Sequence, residues 1–108
     1  MLKKINRISS RGDFLEVKEN GEMISTPLFG ALVIQKKDEF KKFGFVISKK
    51  ISKRAVDRNK IKRRLAEIIK KDLENFEKGI RVVFLVKRDI LDKKIEEIEN
   101  EVKKCLKK

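Results

Sequence analysis

Apolar positions along this chain are grouped in patches whose spacing changes from one patch to the next. Phe14 and Val17 stand three apart between Ser10 and Gly21. Ser10 suits a helix N-cap, Asp13 follows three residues later and Gly21 is a plausible stop, so a short helix is predicted over residues 9–20. Residues 28–34 (LFGALVI) and 43–48 (FGFVIS) are short, apolar and rich in β-branched or aromatic side chains. Both read as strands, and the polar QKKDEFKK between them suggests a hairpin. Pro27 stands where the first strand begins, where a missing N–H does least harm. Residues 54–71 carry helical spacing, Gly79 breaks it, and residues 80–86 (IRVVFLV) read as a third strand, buried enough to be central. A last helix is expected from about Asp89, with Leu91, Ile95, Ile98, Val102 and Cys105 as its apolar stripe.

The order is therefore α-β-β-α-β-α, preceded by a loose basic lead-in over residues 1–8. One mixed sheet with helices packed on it, a two-layer sandwich of the α+β class, is the simplest architecture. The strands are apolar on both alternations, so both sheet faces should be covered, by helices or by a ligand. All 108 residues are read as one domain, with no repeat and no linker.

Within residues 54–71 the two sides of the helix differ. At about 100° per residue, Ile61, Leu65, Ile68 and Ile69 share one stripe, and Asn59, Lys62, Arg63 and Lys70 share the adjoining strip, with Arg58 at its edge. Such a helix can dock by its isoleucine side and offer guanidinium, amide and ammonium donors outward, as phosphate oxygens require. Between Lys49 and Arg64 nine cations occupy 16 residues, offset only by Asp57. Asn59 is a mediocre helix former. Its amide could donate to phosphate or accept from a ribose hydroxyl, or it could simply be tolerated near the helix start.

Charge strengthens the polyanion reading. Thirty Lys+Arg against 17 Asp+Glu give a formal charge of +13 and a pI near 10.0. Self-repulsion on this scale favours an acidic partner: nucleic acid, an anionic membrane surface or an acidic protein. No apolar run is long enough to span a membrane, and no apolar run follows the charged N-terminus as a signal peptide would require. The single Cys105 fits a reducing, cytoplasmic location and a place in the core. With no histidine, the usual general base and zinc ligand are missing, and serine–histidine or cysteine–histidine catalysis is excluded.

Arg58-Asn59-Lys60-Ile61-Lys62-Arg63, preceded by GFVISKK and RAVD, closely resembles the signature of the bacterial ribonuclease P protein subunit. Asp13-Phe14 with Val17 and Gly21, then Pro27-Leu28-Phe29, resemble the family's opening helix and first strand. The strand IRVVFLV with Lys87-Arg88 and the closing amphipathic helix resemble the remainder. The resemblance implies a ribosomal-protein-like fold and a small basic subunit that joins a large catalytic RNA. The holoenzyme would remove the 5′ leader of precursor tRNA by hydrolysis, with Mg2+ held mainly by the RNA and no catalytic residue in this chain. By resemblance, Arg54, Arg58, Asn59, Lys60, Lys62, Arg63 and Lys70 would meet the catalytic RNA. Phe14, Gly30, Leu32, Val46, Ser48, Lys49 and Lys50 would line a cleft for the single-stranded leader. The expected partners are the catalytic RNA and precursor tRNA, with no membrane and no obligate protein partner.

Strand alternation by itself puts Gly30 with Leu32, and Val46 and Ser48 with Lys50, on common faces. Phe14 fits either core packing or an aromatic cleft floor. Departures from the family pattern are also visible. Ala66 stands in the polar strip where many relatives carry arginine, and Lys18 and Leu32 stand where relatives often have aromatics. A cleft relying more on charge than on stacking follows from these. Two other readings stay open: a ribosomal-type RNA-binding protein, and a protein-only nuclease using Asp38, Glu39, Glu74, Glu77 or the acidic run 96–101. Those carboxylates lack a shared constellation, and the acidic run reads most simply as a solvated face.

Overall fold

The computed structural model describes residues 2–106. A short 3-10 turn, Lys4–Asn6, leads into helix α1, Arg11–Asn20. Strands β1, Glu22–Ser25, β2, Phe29–Gln35, and β3, Lys42–Val46, follow. Helix α2, Ala55–Lys71, strand β4, Ile80–Val86, and helix α3, Ile95–Leu106, complete the order, with 3-10 turns at Leu73–Asn75 and Arg88–Asp92. The four strands form one mixed sheet in the order β1-β2-β4-β3. β2 is antiparallel to β1 and β4, and β3 is parallel to β4.

The α+β architecture and the central place of β4 agree with the sequence reading, but two details of the sheet differ. A fourth strand, β1, is present; only Ile24 of its residues is partly covered, so its sequence carries little burial pattern. The hairpin between residues 28–34 and 43–48 does not form, because β4 lies between β2 and β3. β4 matches all seven residues of β2, from Phe29↔Val86 to Gln35↔Ile80. That ladder brings more apolar surface together than the five-residue β3 could. The connection from β3 to β4 carries α2, as a parallel pair demands.

Register divides the side chains between two faces. Phe29, Ala31, Val82, Phe84 and Phe43 point toward α2 and α3, where they meet Ile61, Leu65, Ile68, Ile69, Ile98 and Val102. Phe84 is edge-on to Phe29 and stacked on Phe45, with ring centroids 5.2 and 5.6 Å apart. Leu32 and Val83 point the other way and pack against Val17 of α1, with Ile8, Phe14, Ile34, Val46 and Leu85 around them. Helices thus cover one face fully and the other in part.

Three further expectations need correction. The lead-in is ordered over residues 2–8: Leu2 is buried, Asn6 Nδ2 donates to the Lys41 carbonyl at 2.9 Å, and the Ile8 N–H donates to the Phe43 carbonyl at 3.0 Å. It runs parallel to β3 and covers part of its open edge. Ala66 is only 2% exposed and lines a recess with Leu2, Arg7, Phe43 and Lys62, so it lies beneath the lead-in rather than in the polar strip. The last helix begins at Ile95, not near Asp89, because residues 88–92 form a 3-10 turn and Lys93 is extended. That turn buries Ile90 and leaves Leu91 36% exposed. Cys105 packs at the core's margin; burial, and then the Glu101 carboxylate, push its thiol pKa up.

At the start of α1 the cap is as expected, with Ser10 Oγ accepting from the Asp13 N–H at 3.1 Å. α1 itself starts at Arg11, two residues later than predicted. Gly79 has φ +85, and a Cβ there would collide with the Lys36 carbonyl, so the turn before β4 requires glycine.

Candidate nucleic-acid interface

The parallel pair β3 and β4 ends at one edge of the sheet, and α2 begins there. Three hydrogen bonds to its backbone carbonyls help to hold the 47–54 loop. The Ile51 N–H donates to the Ser48 carbonyl at 3.0 Å, Arg88 Nη2 to the Lys50 carbonyl at 2.9 Å, and Arg58 Nη1 to the Ser52 carbonyl at 2.7 Å. Ser52 Oγ accepts from the Arg54 N–H and donates to Asp57 Oδ2, joining the loop to the first turn of α2. Ser48, Lys49, Lys50, Lys53 and Arg54 consequently stand exposed on a defined backbone.

The positive end of a helix dipole is where acidic residues are favoured. Here Lys53, Arg54 and Arg58 stand at that end with only Asp57 among them in the first turn. Such an arrangement works against the isolated protein and in favour of a bound anion.

Farther along α2, Asn59, Lys60, Lys62, Arg63 and Lys70 are exposed, and Arg58 is half-buried. Asn59, Arg63 and Lys70 fall within about 40° of arc, Arg63 about one turn and Lys70 about three turns beyond Asn59. Lys60 points to one side of that line. Lys62 points to the other, into the recess with Arg7. Among the described residues the ion pairs join Lys36 to Glu16, Lys42 to Asp13, Lys71 to Glu99 and Arg81 to Asp38, and none uses a cation of the Arg54–Lys70 set.

Of the residues expected to line a cleft, Gly30, Leu32 and Val46 lie on the sheet face toward α1, Phe14 lies on α1 itself, and Ser48, Lys49 and Lys50 lie in the loop after β3. Gly30, Leu85 and Val46 form one row across β2, β4 and β3, and Leu32, Val83 and Gly44 form the next. Leu32 is covered by Val17, so it supports α1 and offers little surface. Gly30 lies beneath Met23, whose Sδ is 3.0 Å from where a Cβ would be. Phe14, Val46 and Leu85 are half-buried, and the exposed Ser48, Lys49 and Lys50 follow the end of β3 in the 47–54 loop. Phe14 packs against this cluster while keeping part of its surface open.

Sequence reasoning did not single out Met23, Leu85, Arg88 or Arg7 for this region. Leu85 was available from strand alternation once β4 was taken as central. Arg88 and Arg7 were not, because only tertiary contacts bring them to the loop and to α2. Among the described residues no three His, Cys, Asp or Glu side chains converge to hold a metal. Nor is any helix there long and apolar enough to cross a membrane.

Comparison with known proteins places the chain in a family. The family model described as Ribonuclease P matches residues 2–108. A ribonuclease P protein component from Alkaliphilus oremlandii is 29% identical over 107 residues, covering 99% of this chain and 93% of the relative. One from a Pseudanabaena species is 31% identical over 109 residues, covering 100% and 94%. A Staphylococcus aureus RNase P protein mutant, described as defective in mRNA degradation activity, superposes with a TM-score of 0.87 at 26% identity, covering 96% of this chain and 87% of that one. The RNase P protein from Thermotoga maritima shares the fold, with a TM-score of 0.84 at 23% identity over 94% of each chain. Matched along its whole described length in sequence and in fold, the chain belongs to the ribonuclease P protein family, the protein component of a tRNA-processing endoribonuclease.

Proposed function

We propose that this protein binds the catalytic RNA of ribonuclease P through α2 and holds the single-stranded 5′ leader of precursor tRNA on the α1 face of the sheet. The observation that carries this reading is the shared edge. The loop Ser48–Lys49–Lys50 belongs to the cleft on one side and leads into Arg54, Arg58 and Asn59 on the other. One cationic loop thereby borders both RNAs where they approach each other. Offsetting phosphate repulsion at that point reduces the number of metal ions needed there.

Arg54, Arg58, Asn59, Lys60, Lys62, Arg63 and Lys70 supply donors to catalytic-RNA phosphates and ribose. Phe14, Val46 and Leu85 offer an apolar strip to unpaired bases, and Lys49 and Lys50 follow the leader's backbone. Among its described residues the protein offers no carboxylate cage. The reading assigns Mg2+ to the RNA, where it would supply the activated water for hydrolysis. The polypeptide positions, and the RNA carries the chemistry. A cytoplasmic place, without a membrane or an obligate protein partner, belongs to the same reading.

Reconstitution with a bacterial ribonuclease P RNA at low magnesium tests it. Cleavage at the mature 5′ end only when RNA and protein are both present is the expected result. Cleavage by the repurified protein alone, or no stimulation by the folded protein, would overturn it.

A further inference from the structure

Phe40 is an aromatic ring kept in solvent by a rigid backbone. It is 51% exposed, yet its N–H donates to Asp38 Oδ1 at 3.0 Å. Its carbonyl accepts from Arg81 Nη1 and from the Gly79 N–H, both at 2.9 Å. Arg81 is itself buried, with its guanidinium bound to both carboxylate oxygens of Asp38. The loop tip is thus pinned at three points, and it places an apolar side chain outward.

The surroundings of the ring are cationic. Lys42 Nζ lies 5.6 Å from the ring centroid, within cation–π range, and 3.7 Å from Asp13 Oδ2. Lys42 shares a row with Arg81 and Ile34 on the α1 face, so it joins Phe40 to the start of α1, one residue from Phe14. Asn6 ties Lys41 to the lead-in that carries Lys3, Lys4 and Arg7. The neighbouring acids Asp13 and Asp38 face Lys42 and Arg81; Glu39 beside the ring is exposed, as are Glu74 and Glu77 on the segment that Lys41 and Phe40 bind through the Leu73 carbonyl and the Gly79 N–H. A fixed aromatic face among lysines is a platform for an unpaired base with its phosphate.

We infer that Phe40 is a second stacking site for single-stranded RNA, taking a nucleotide of the precursor leader after the strand has crossed the α1 face. The inference rests on the leader reading above. β3 leads from this end of the sheet to Ser48–Lys50 at the other, about 26 Å away at roughly 3.3 Å per residue. A strand that starts beside α2 and follows β3 therefore reaches Phe40 only after several nucleotides. The site also supplies an aromatic to a cleft in which Lys18 and Leu32 provide none.

The test uses the reconstituted holoenzyme and precursor tRNAs whose leaders are lengthened one nucleotide at a time. With the unaltered protein, affinity should rise once as the leader enters the cleft and again when it reaches Phe40. Phe40→Leu, which keeps apolar bulk, should lose the second rise by roughly fivefold or more, and Phe40→Trp should keep it. A 2-aminopurine base at the reaching position should be quenched with the unaltered protein and not with Phe40→Leu. An unchanged long-leader affinity in Phe40→Leu, or equal loss on short and long leaders, would overturn the inference and leave the leader reading in place. Leaders that add no affinity at any length would sink the leader reading, and this site with it.

Discussion

At Arg58 one side chain serves both the fold and the surface. One N–H holds the Ser52 carbonyl, and the rest of the guanidinium remains available at the start of α2. Arg63, more than a turn farther along, is exposed and takes no part in holding the loop. Arg58→Ala and Arg63→Ala should each weaken binding to the catalytic RNA and flatten its salt dependence, by about 0.7–0.9 in log–log slope for each phosphate no longer neutralised. Only Arg58→Ala should also lower stability, by about 1 kcal/mol in urea titration, the scale of one hydrogen bond. A different residue-scale prediction concerns acid. Hydrogen bonding to Arg81 holds the Asp38 carboxyl below its ordinary 3.8, with burial opposing. Because the folded value is the lower one, its contribution is present above about pH 3.8 and is lost as pH falls through the folded value. Denaturation midpoints measured against pH should therefore fall less steeply in that acid window for Asp38→Asn than for the unaltered chain. The directions of Asn59, Arg63 and Lys70 were legible in the sequence because helical spacing alone fixes them. Ala66 was not, since what covers it comes from the opposite end of the chain.

Among the elements, helices α1 and α2 and the cores of three strands were readable from local periodicity. What failed depended on partners. β1 has four residues and little burial, so its existence is decided by the edge of β2 that it meets. The supposed hairpin failed because adjacency in sequence says nothing about a longer ladder offered by β4. The start of α3 was misplaced because Leu91 and Ile95 keep helical spacing across an extended Lys93. The lead-in was misjudged from its charge, although Leu2, Asn6 and Ile8 are what hold it against β3. Deleting residues 2–8 should expose that edge and the recess beside Ala66. The expected cost is about 2–4 kcal/mol, from one buried leucine and the broken hydrogen bonds. Self-association should appear in light scattering, because an uncovered edge can pair with another chain. The candidate cleft face was about half legible: strand alternation put Gly30 and Leu32 on a common face, but not that Val17 and Met23 lie over Leu32 and Gly30.

For the whole molecule, a charge of +13 is carried by a fold in which, among the described residues, no ion pair uses a cation of the Arg54–Lys70 set. Added potassium chloride should therefore raise the thermal midpoint until screening is complete near the molar range, whereas a neutral domain would respond little. Calorimetry at graded ionic strength checks this, and a flat response would mean that the cations are spaced too widely to repel. The order of the sheet carries one more consequence, for the time at which the binding surface comes into being. β4 is the strand that β2 and β3 both need, and it is the last strand in the chain. Until it has been synthesised, β3 has no strand to pair with beyond the single bridge to the lead-in, and the isoleucine stripe of α2 has only part of the sheet to rest on. Long-range closure of this kind is slow compared with helix formation. A nascent or half-folded chain can thus wind the signature helix without fixing its direction, and the cationic loop stays loose beside it. Completion of the sheet is then what arms the surface, so on the proposed function a strongly basic chain would not grip RNA in register before it has finished folding.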